Sequence, residues 1–209
     1  MRSINQVPGS CKVIILFAAF IFACSSIPVL KVNYRLPPLS DVLKGREAFL
    51  EILDVRDPKV FLDKEAEKEL ENFPGNISFS IARHEEPGFK IGYYSPVSMF
   101  KEGIKRRLEN EGLKILPERS PDMPELQILL KRFLVELIDR KWVVKMEYEA
   151  QLRKKEKKVA SQTIIGQSER FKFVGRSQVD DAIEEIFSDM VNRLDTRMLF
   201  KEWDRWTSR

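Results

Sequence analysis

The clearest pattern in the chain is a strict alternation of apolar and polar residues over 144–152. Such alternation is typical of an antiparallel strand that buries one face. An apolar run at 126–137 precedes it, separated by a turn at 139–141, and residues 159–170 return after a basic turn at 153–158. The three segments predict a β-meander. The alternating apolar positions of its middle strand are Val144, Met146, Tyr148, Ala150 and Leu152.

Helical spacing of apolar residues predicts two amphipathic helices. The first begins after the capping residue Ser95, has Pro96 in its first turn and ends at Gly112. The second begins at Ser177 and keeps one continuous apolar face as far as Leu199. Both helices need a sheet to cover their apolar stripes. The pattern therefore predicts an α+β domain: a mainly antiparallel sheet with two amphipathic helices packed on one face.

Shorter patterns complete a single predicted domain over residues 48–203. The segments 48–57 and 113–116 are rich in aliphatic residues and predict two further strands. An insertion at about 61–87 contains helical spacing over 62–73, followed by a strand in which Ile77, Phe79 and Ile81 alternate with polar residues. No internal repeat is evident in the sequence.

The N-terminal segment predicts a secreted protein with a lipid anchor. Val13 to Ala23 are apolar, a run shorter than the ~20 residues that a membrane-spanning helix needs. Basic residues precede the run, as in a secretory signal. Ile21-Phe22-Ala23-Cys24 resembles the bacterial lipobox, which implies a signal peptide over 1–23 and acylation of Cys24. An uncleaved anchor and an ordinary cleaved signal are the alternatives.

Residues 24–47 are predicted to form a flexible tether, because prolines and Gly45 interrupt every periodic pattern there. Ser25 follows the predicted lipidation site. In the lipoprotein class that the lipobox resembles, an aspartate at that position retains the protein in the inner membrane. Ser25 therefore implies sorting to the outer membrane, with the domain on the periplasmic face.

Charge and composition argue against several kinds of partner and chemical site. The 36 basic and 32 acidic residues give a net charge of +4 and are interleaved, which argues against nucleic acid as a partner. Cys11 and Cys24 are the two cysteines, and His84 is the single histidine. The folded part thus lacks a thiol nucleophile and the usual cysteine or histidine metal sites. We expect no cofactor, no metal site, no catalytic residue and no enzymatic activity.

Two groups of residues are candidates for binding. Trp203 and Trp206 near the C-terminus could contact a partner, although packing on the sheet is the simpler explanation. The turn residues could contact anionic groups, although a solvated turn has the same composition. These basic candidates are Arg153, Lys154, Lys155, Lys157 and Lys158.

An envelope hydrolase is the alternative from another class, and it would use acidic residues or the histidine. Asp54 and Asp57 flank Arg56 at the end of a predicted strand, where structural ion pairs are the simpler interpretation. His84 has Glu85 and Glu86 beside it, in a segment predicted to be an exposed loop.

The order of these features resembles the YajG-type bacterial lipoproteins and, more distantly, the lipoprotein auxiliary components of ABC transporters. The resemblance rests on the lipobox, "LEILDVRDPK", "KIGYY", "LENEGLKIL", the meander and the long C-terminal helix. It implies an α+β domain, an outer-membrane lipid anchor and no established catalytic activity.

Sequence and resemblance together predict a lipid-anchored, periplasm-facing binding or accessory module that serves a transport system. Its partners would be the membrane, through the anchor, and another envelope protein. A regulator of an envelope enzyme is the alternative within the same class. The oligomeric state is left open.

Overall fold

The computed structural model of the chain describes residues 29–83, 88–121, 123–173 and 177–208. The strands are β1 (Leu30–Arg35), β2 (Glu47–Asp54), β3 (Ile77–Ala82), β4 (Phe89–Tyr94), β5 (Lys114–Leu116), β6 (Glu125–Ile138), β7 (Lys141–Lys154) and β8 (Lys157–Phe171). The helices are α1 (Lys64–Glu69), α2 (Pro96–Asn110), α3 (Ser177–Asn192) and α4 (Thr196–Thr207). The elements confirm the predicted α+β class.

The strands form two mixed sheets, which differ from the one mainly antiparallel sheet that the sequence predicts. The large sheet has the order β5-β2-β6-β7-β8, and the small sheet has the order β1-β3-β4. β2 runs parallel to both β5 and β6, whereas β6, β7 and β8 form the predicted antiparallel meander. A shift in pairing between Leu130 and Arg132 explains why β6 is apolar on both phases.

Strand β1 overturns most of the predicted tether. It pairs in parallel with β3, and its alternate side chains Leu30, Val32 and Tyr34 are buried. Six residues of alternation flanked by three prolines (Pro28, Pro37 and Pro38) gave too weak a pattern for a strand to be predicted. Residues 29–47 therefore belong to the folded domain, while the rest of the predicted tether lies outside the described residues.

The predicted insertion is also a central part of the fold. Ile77, Phe79 and Ile81 are buried as predicted, and they lie on β3, the middle strand of the small sheet. The predicted helix is confirmed as the short helix α1, which packs near β6. Without this segment β1 and β4 would have no strand between them.

Helix α2 forms as its sequence predicts. Ser95 Oγ accepts the N–H of Ser98, Pro96 occupies the first turn, and Gly112 follows the helix with a φ of +84°. A side chain at position 112 would also approach the backbone of Lys44 to 3.2 Å. Glycine meets both the conformational and the steric requirement there.

The C-terminal helix is not continuous. α3 ends at Asn192, and α4 begins after Asp195, whose side chain accepts the N–H of Met198. The apolar periodicity runs through the break because Leu194 is itself buried. α3 packs on β7 and β8 and also on β1, while α4 packs on β7 and β8.

Phe187 of α3 lies where the two sheets and α2 meet. Its ring contacts those of Tyr34, Phe79 and Phe133 at centroid distances of 5.5, 5.6 and 6.4 Å. Tyr34 and Phe79 belong to the small sheet, and Phe133 belongs to the large sheet. A Cβ atom placed on Gly103 of α2 would lie 2.6 Å from the ring. Glycine at position 103 thus lets α2 approach α3 closely.

We expect the substitution Gly103→Ala to destabilise the domain. The added methyl group would overlap the Phe187 ring, which three aromatic neighbours hold in place, and overpacking of this kind costs ~1–3 kcal/mol. That cost exceeds the ~1 kcal/mol that alanine gains over glycine in helix propensity. Urea unfolding measures the difference, with Lys101→Ala on the exposed face of the same helix as the control. A G103A variant as stable as wild type would contradict this packing.

Candidate functional site

The two groups of binding candidates converge at one end of the large sheet. The β7–β8 hairpin turns there at Lys155 and Glu156, and Lys155 adopts a φ of +54°. The C-terminal half of α4 packs beside this turn and carries both tryptophans. We call this surface the basic-aromatic end. Its members are Lys154, Lys155, Lys157, Trp203 and Trp206.

The lysines of the turn lie over the tryptophan rings. The Lys154 Nζ is 5.9 Å from the Trp203 ring centroid and 5.4 Å from that of Trp206. The Lys157 Nζ is 5.6 Å from Trp206. The two indoles are in contact with each other, at a centroid distance of 6.4 Å. Cation–π attraction therefore favours this placement of the ammonium groups and contributes to the contact between the hairpin turn and α4.

The five basic candidates divide into two groups by their partners. Arg153 donates to Gln127 Oε1 and to the Glu156 carbonyl, and Lys158 pairs with Glu149 at 3.4 Å. Within the ranges that the structure describes, Lys154, Lys155 and Lys157 form no ion pair with a carboxylate. The positive charge of the basic-aromatic end is therefore available to an external anion.

A second contact holds α4 at this end of the sheet. Both terminal nitrogens of Arg46, the residue before β2, donate to the Asp204 carboxylate at 2.9 and 2.7 Å. Hydrogen bonding by Arg46 lowers the pKa of Asp204, and Asp204 in turn raises the pKa of Arg46. The guanidinium also lies 5.3 Å from the Phe200 ring centroid. These contacts fix the position from which Trp206 projects.

A cavity of about 270 Å³ opens beside the lysines. Phe49, Pro121 and Met123 are its apolar lining, and Lys155 also lines it. Glu125 is buried in its wall and pairs with Arg119 at 2.5 Å. The volume lies just below the ~300 Å³ at which small-molecule sites begin. It suits a single side chain of a partner better than a separate ligand.

The exposed fractions of the side chains show which binding candidates an external partner could contact. Trp203 is 9% exposed, so its role in packing α4 on the sheet accounts for it. Trp206 is half-buried. Lys155 and Lys157 are exposed. An external partner would therefore contact Trp206 and the lysines. Trp203 is buried and packs against Trp206.

Asp54 and Arg56 form the structural ion pair that the simpler interpretation predicts. Arg56 is 7% exposed and donates to both carboxylate oxygens of Asp54, at 2.8 and 3.0 Å. It also donates to the Val60 and Phe133 carbonyls. Asp57 is exposed and is not part of this cluster. The Asp54 carboxylate therefore neutralises the buried guanidinium of Arg56.

Other candidates lie outside the described residues, namely Cys24, Ser25 and His84. Among residues 29–83, 88–121, 123–173 and 177–208, no group of three or more histidine, cysteine or carboxylate side chains could hold a metal ion. The same ranges contain no helix long and apolar enough to cross a membrane.

The sequence did not predict that the tryptophans and the basic turn would meet. They are about 50 residues apart in sequence, separated by β8 and α3. The supporting residues Arg46, Phe49 and Arg119 were also missed, because no local pattern shows that they lie near the turn and the tryptophans. Pairing of β2 with β6 brings them to the same end of the sheet.

Three solved structures are similar to this chain to different degrees. Protein XCC0632 from Xanthomonas campestris, assigned to the family model DUF330, superimposes with a TM-score of 0.56 at 15% identity, covering 87% of this chain and 99% of that chain. A minor lipoprotein from Acinetobacter baumannii gives a TM-score of 0.43 at 11% identity, covering 78% of this chain and 95% of that one. Rare lipoprotein B from Shewanella oneidensis gives 0.42 at 11% identity, covering 77% and 99%.

One of these likenesses shows the fold and nothing finer. The match to XCC0632 shows a shared architecture, whereas the two lipoproteins superimpose too weakly to carry an argument. No protein-family model matches the chain, and no curated protein matches it. Membership of the YajG-type family is not shown. By fold, the chain is similar to a bacterial protein of the family model DUF330.

We expect Asp54→Asn to lower stability and to weaken its dependence on pH. Hydrogen bonding by Arg56 lowers the Asp54 pKa below its ordinary value of 3.8. The stabilisation is therefore present above pH ~4 and is lost as the pH falls through the lower folded-state pKa. Breaking a buried pair costs ~3–5 kcal/mol, and partial exposure of Asp54 reduces this to about 2 kcal/mol.

Urea unfolding between about pH 5 and pH 3 measures this effect. The exposed Asp57→Asn variant is the matched control, and it should retain the stability and the pH dependence of wild type. A D54N variant whose free energy of unfolding falls as steeply with acid as that of wild type would show that the pair is not responsible.

Proposed function

We propose that this protein is a lipid-anchored, periplasm-facing envelope protein that binds another envelope protein and has no chemistry of its own. The basic-aromatic end is the binding surface, and the partner presents an acidic surface to it. The observation that carries the proposal is a set of three lysines that have no carboxylate partner within the described part of the chain, two of which lie over tryptophan rings. Such preorganised cations lose little freedom when an acidic partner binds.

The anchor half of the proposal is supported by the sequence before the domain. Cys24 follows an apolar run that is too short to span a bilayer and has lipobox spacing. Diacylglyceryl and amine-linked chains on Cys24 would supply the several acyl groups that stable anchoring requires. Ser25 favours the outer membrane over the inner membrane.

The packing of the domain favours a binding surface over an internal cargo site. A carrier of apolar cargo would need an open groove between helix and sheet. Here α3 approaches β8 so closely that a Cβ atom on Gly166 would lie 2.9 Å from Ile186. α2 and α3 are also close together, since a Cβ atom on Gly103 would lie 2.6 Å from the Phe187 ring. A transport role would therefore act through contact with another protein.

We predict that Cys24 is acylated and that Ser25 directs sorting. Mass spectrometry of the mature N-terminus should show an acylated cysteine, and membranes separated by density should place the protein with the outer membrane. Ser25→Asp should move it to the inner membrane, and Ser26→Asp, one residue later, is the control. An intact Met1 or an unmodified Ser25 terminus would contradict the anchor. A Ser25→Asp variant that stays in place would contradict the sorting.

We predict that the three lysines carry binding. A photo-crosslinking residue at Glu156, in the hairpin turn, should give a discrete adduct with an envelope protein in intact cells. The same residue at Lys101, exposed on α2, should not. Replacing Lys154, Lys155 and Lys157 by Gln should abolish the adduct, because an acidic partner would lose its counter-charges.

A charge-matched control separates a local effect from net charge. Replacing the exposed residues Lys64, Lys101 and Lys105 by Gln removes the same charge elsewhere and should leave the Glu156 adduct intact. Equal loss in both triple variants, or adducts of equal intensity from both crosslinking positions, would refute the assignment of the binding surface.

A further inference from the structure

The end of the domain opposite the basic-aromatic end exposes a small apolar cluster. Ile138 ends β6 and is 44% exposed, while Phe171 ends β8 and is 61% exposed. Both residues pair with Lys141 of β7, so they lie about 10 Å apart across two strand spacings. Phe173 follows two residues later and is 68% exposed. Single exposed apolar residues are normal, but three together mark a contact surface.

The described chain begins at this same end. The N–H of Lys31 donates to Asp180 in the first turn of α3, and the N–H of Asn33 donates to Glu184 one turn later. α3 runs antiparallel to β8. Near the end of the strand, the Ser168 hydroxyl donates a hydrogen bond to the Glu185 carboxylate of α3. The start of β1 therefore lies beside the start of α3, at the Phe171 end of β8.

The covalent distance to the anchor is short. Cys24 and Leu30 are six residues apart in sequence, and a fully extended chain covers at most ~3.3–3.6 Å per residue, or about 20 Å in total. A lipidated Cys24 thus holds this end of the domain near the bilayer. β8 has 15 residues, so the basic-aromatic end lies about 45 Å farther along the sheet.

The charged residues around the apolar cluster are of the kind that contacts the polar headgroups of a bilayer. Arg140 is exposed in the β6–β7 turn, and the Lys141 Nζ lies 5.1 Å from the Phe171 ring centroid and 3.4 Å from Glu169. Asp139 shares the turn. Apolar side chains that enter the acyl boundary while cations remain among the headgroups are typical of interfacial membrane contacts.

We propose that this end, formed by Ile138, Arg140, Phe171 and Phe173, rests on the bilayer that carries the Cys24 acyl chains. The inference rests on the lipid anchor of the proposed function and adds the orientation of the domain. The anchored end faces the lipid, and the basic-aromatic end points away from it. A partner protein then meets the lysines at a distance of about 45 Å from the bilayer surface.

Two turn residues at opposite ends of the meander form a matched pair for a test. Arg140 and Lys155 are both exposed, both basic and both at positive φ, at 61° and 54°. Cys11 would be removed with the proposed signal peptide and the Cys24 thiol would be acylated, so Arg140→Cys or Lys155→Cys supplies the single free thiol. Each mature lipoprotein is labelled with an environment-sensitive fluorophore and reconstituted into vesicles that contain nitroxide-labelled lipids.

We expect the label at position 140 to lose most of its fluorescence and the label at position 155 to lose none. In the Arg140→Cys protein, Phe171→Ser together with Phe173→Ser should restore fluorescence. Ile165→Ser, on the same strand and 63% exposed, should not. Equal quenching at 140 and 155, or no effect of the two Phe substitutions, would overturn the orientation.

The outcomes also separate this inference from the proposed function. Failure of the mature protein to float with vesicles would overturn the anchor itself. Flotation with an unquenched label at position 140 would overturn the orientation alone. The same result is expected if a second copy of the protein or a protein partner covers position 140. The lysine-dependent adduct at Glu156 is independent of both results.

Discussion

The fold depends on one packing contact, the Phe187 ring of α3 against the backbone of α2 at Gly103. The small sheet reaches this ring through Tyr34 and Phe79, and the large sheet reaches it through Phe133. Two sheets that share no strand pairing among the described residues thus pack on one aromatic cluster, and both also contact α3. Close packing of this kind transmits strain and resists independent motion of its parts. The two sheets should therefore behave as one body.

That rigidity gives the two ends of the domain a fixed relation. β1 belongs to the small sheet and carries the start of the described chain, whereas the basic-aromatic end belongs to the large sheet. If the sheets moved independently, the position of the lysines relative to the anchor would be undefined. With Phe187 in place, the proposed anchor and the proposed binding surface are held apart by the length of β8. In the proposed function, the protein would act as a spacer with lipid at one end and a protein partner at the other.

Sequence reasoning succeeded where the pattern was local and long. The meander, the caps of α2 at Ser95 and Gly112, and the alternation of Ile77, Phe79 and Ile81 were all predictable, because each depends on neighbouring residues. It failed where a short segment depends on a distant partner: β1 becomes a strand only because β3 and α3 lie beside it. The break before Asp195 was hidden because Leu194 stays in phase with the apolar face. The candidate lysines and tryptophans were identified individually, but their contact required the path of the chain through β8 and α3.

Native-state hydrogen exchange tests the central claim, that Phe187 unites the two sheets into one cooperative body. Amide protons in the paired interior of β3 and of β7 should exchange with the same free energy, equal to that of global unfolding, because neither sheet opens without the other. In a Phe187→Ala variant both sets should lose protection together. If the β3 amides instead exchange at a clearly lower free energy than the β7 amides in wild type, the small sheet unfolds alone and the account is contradicted.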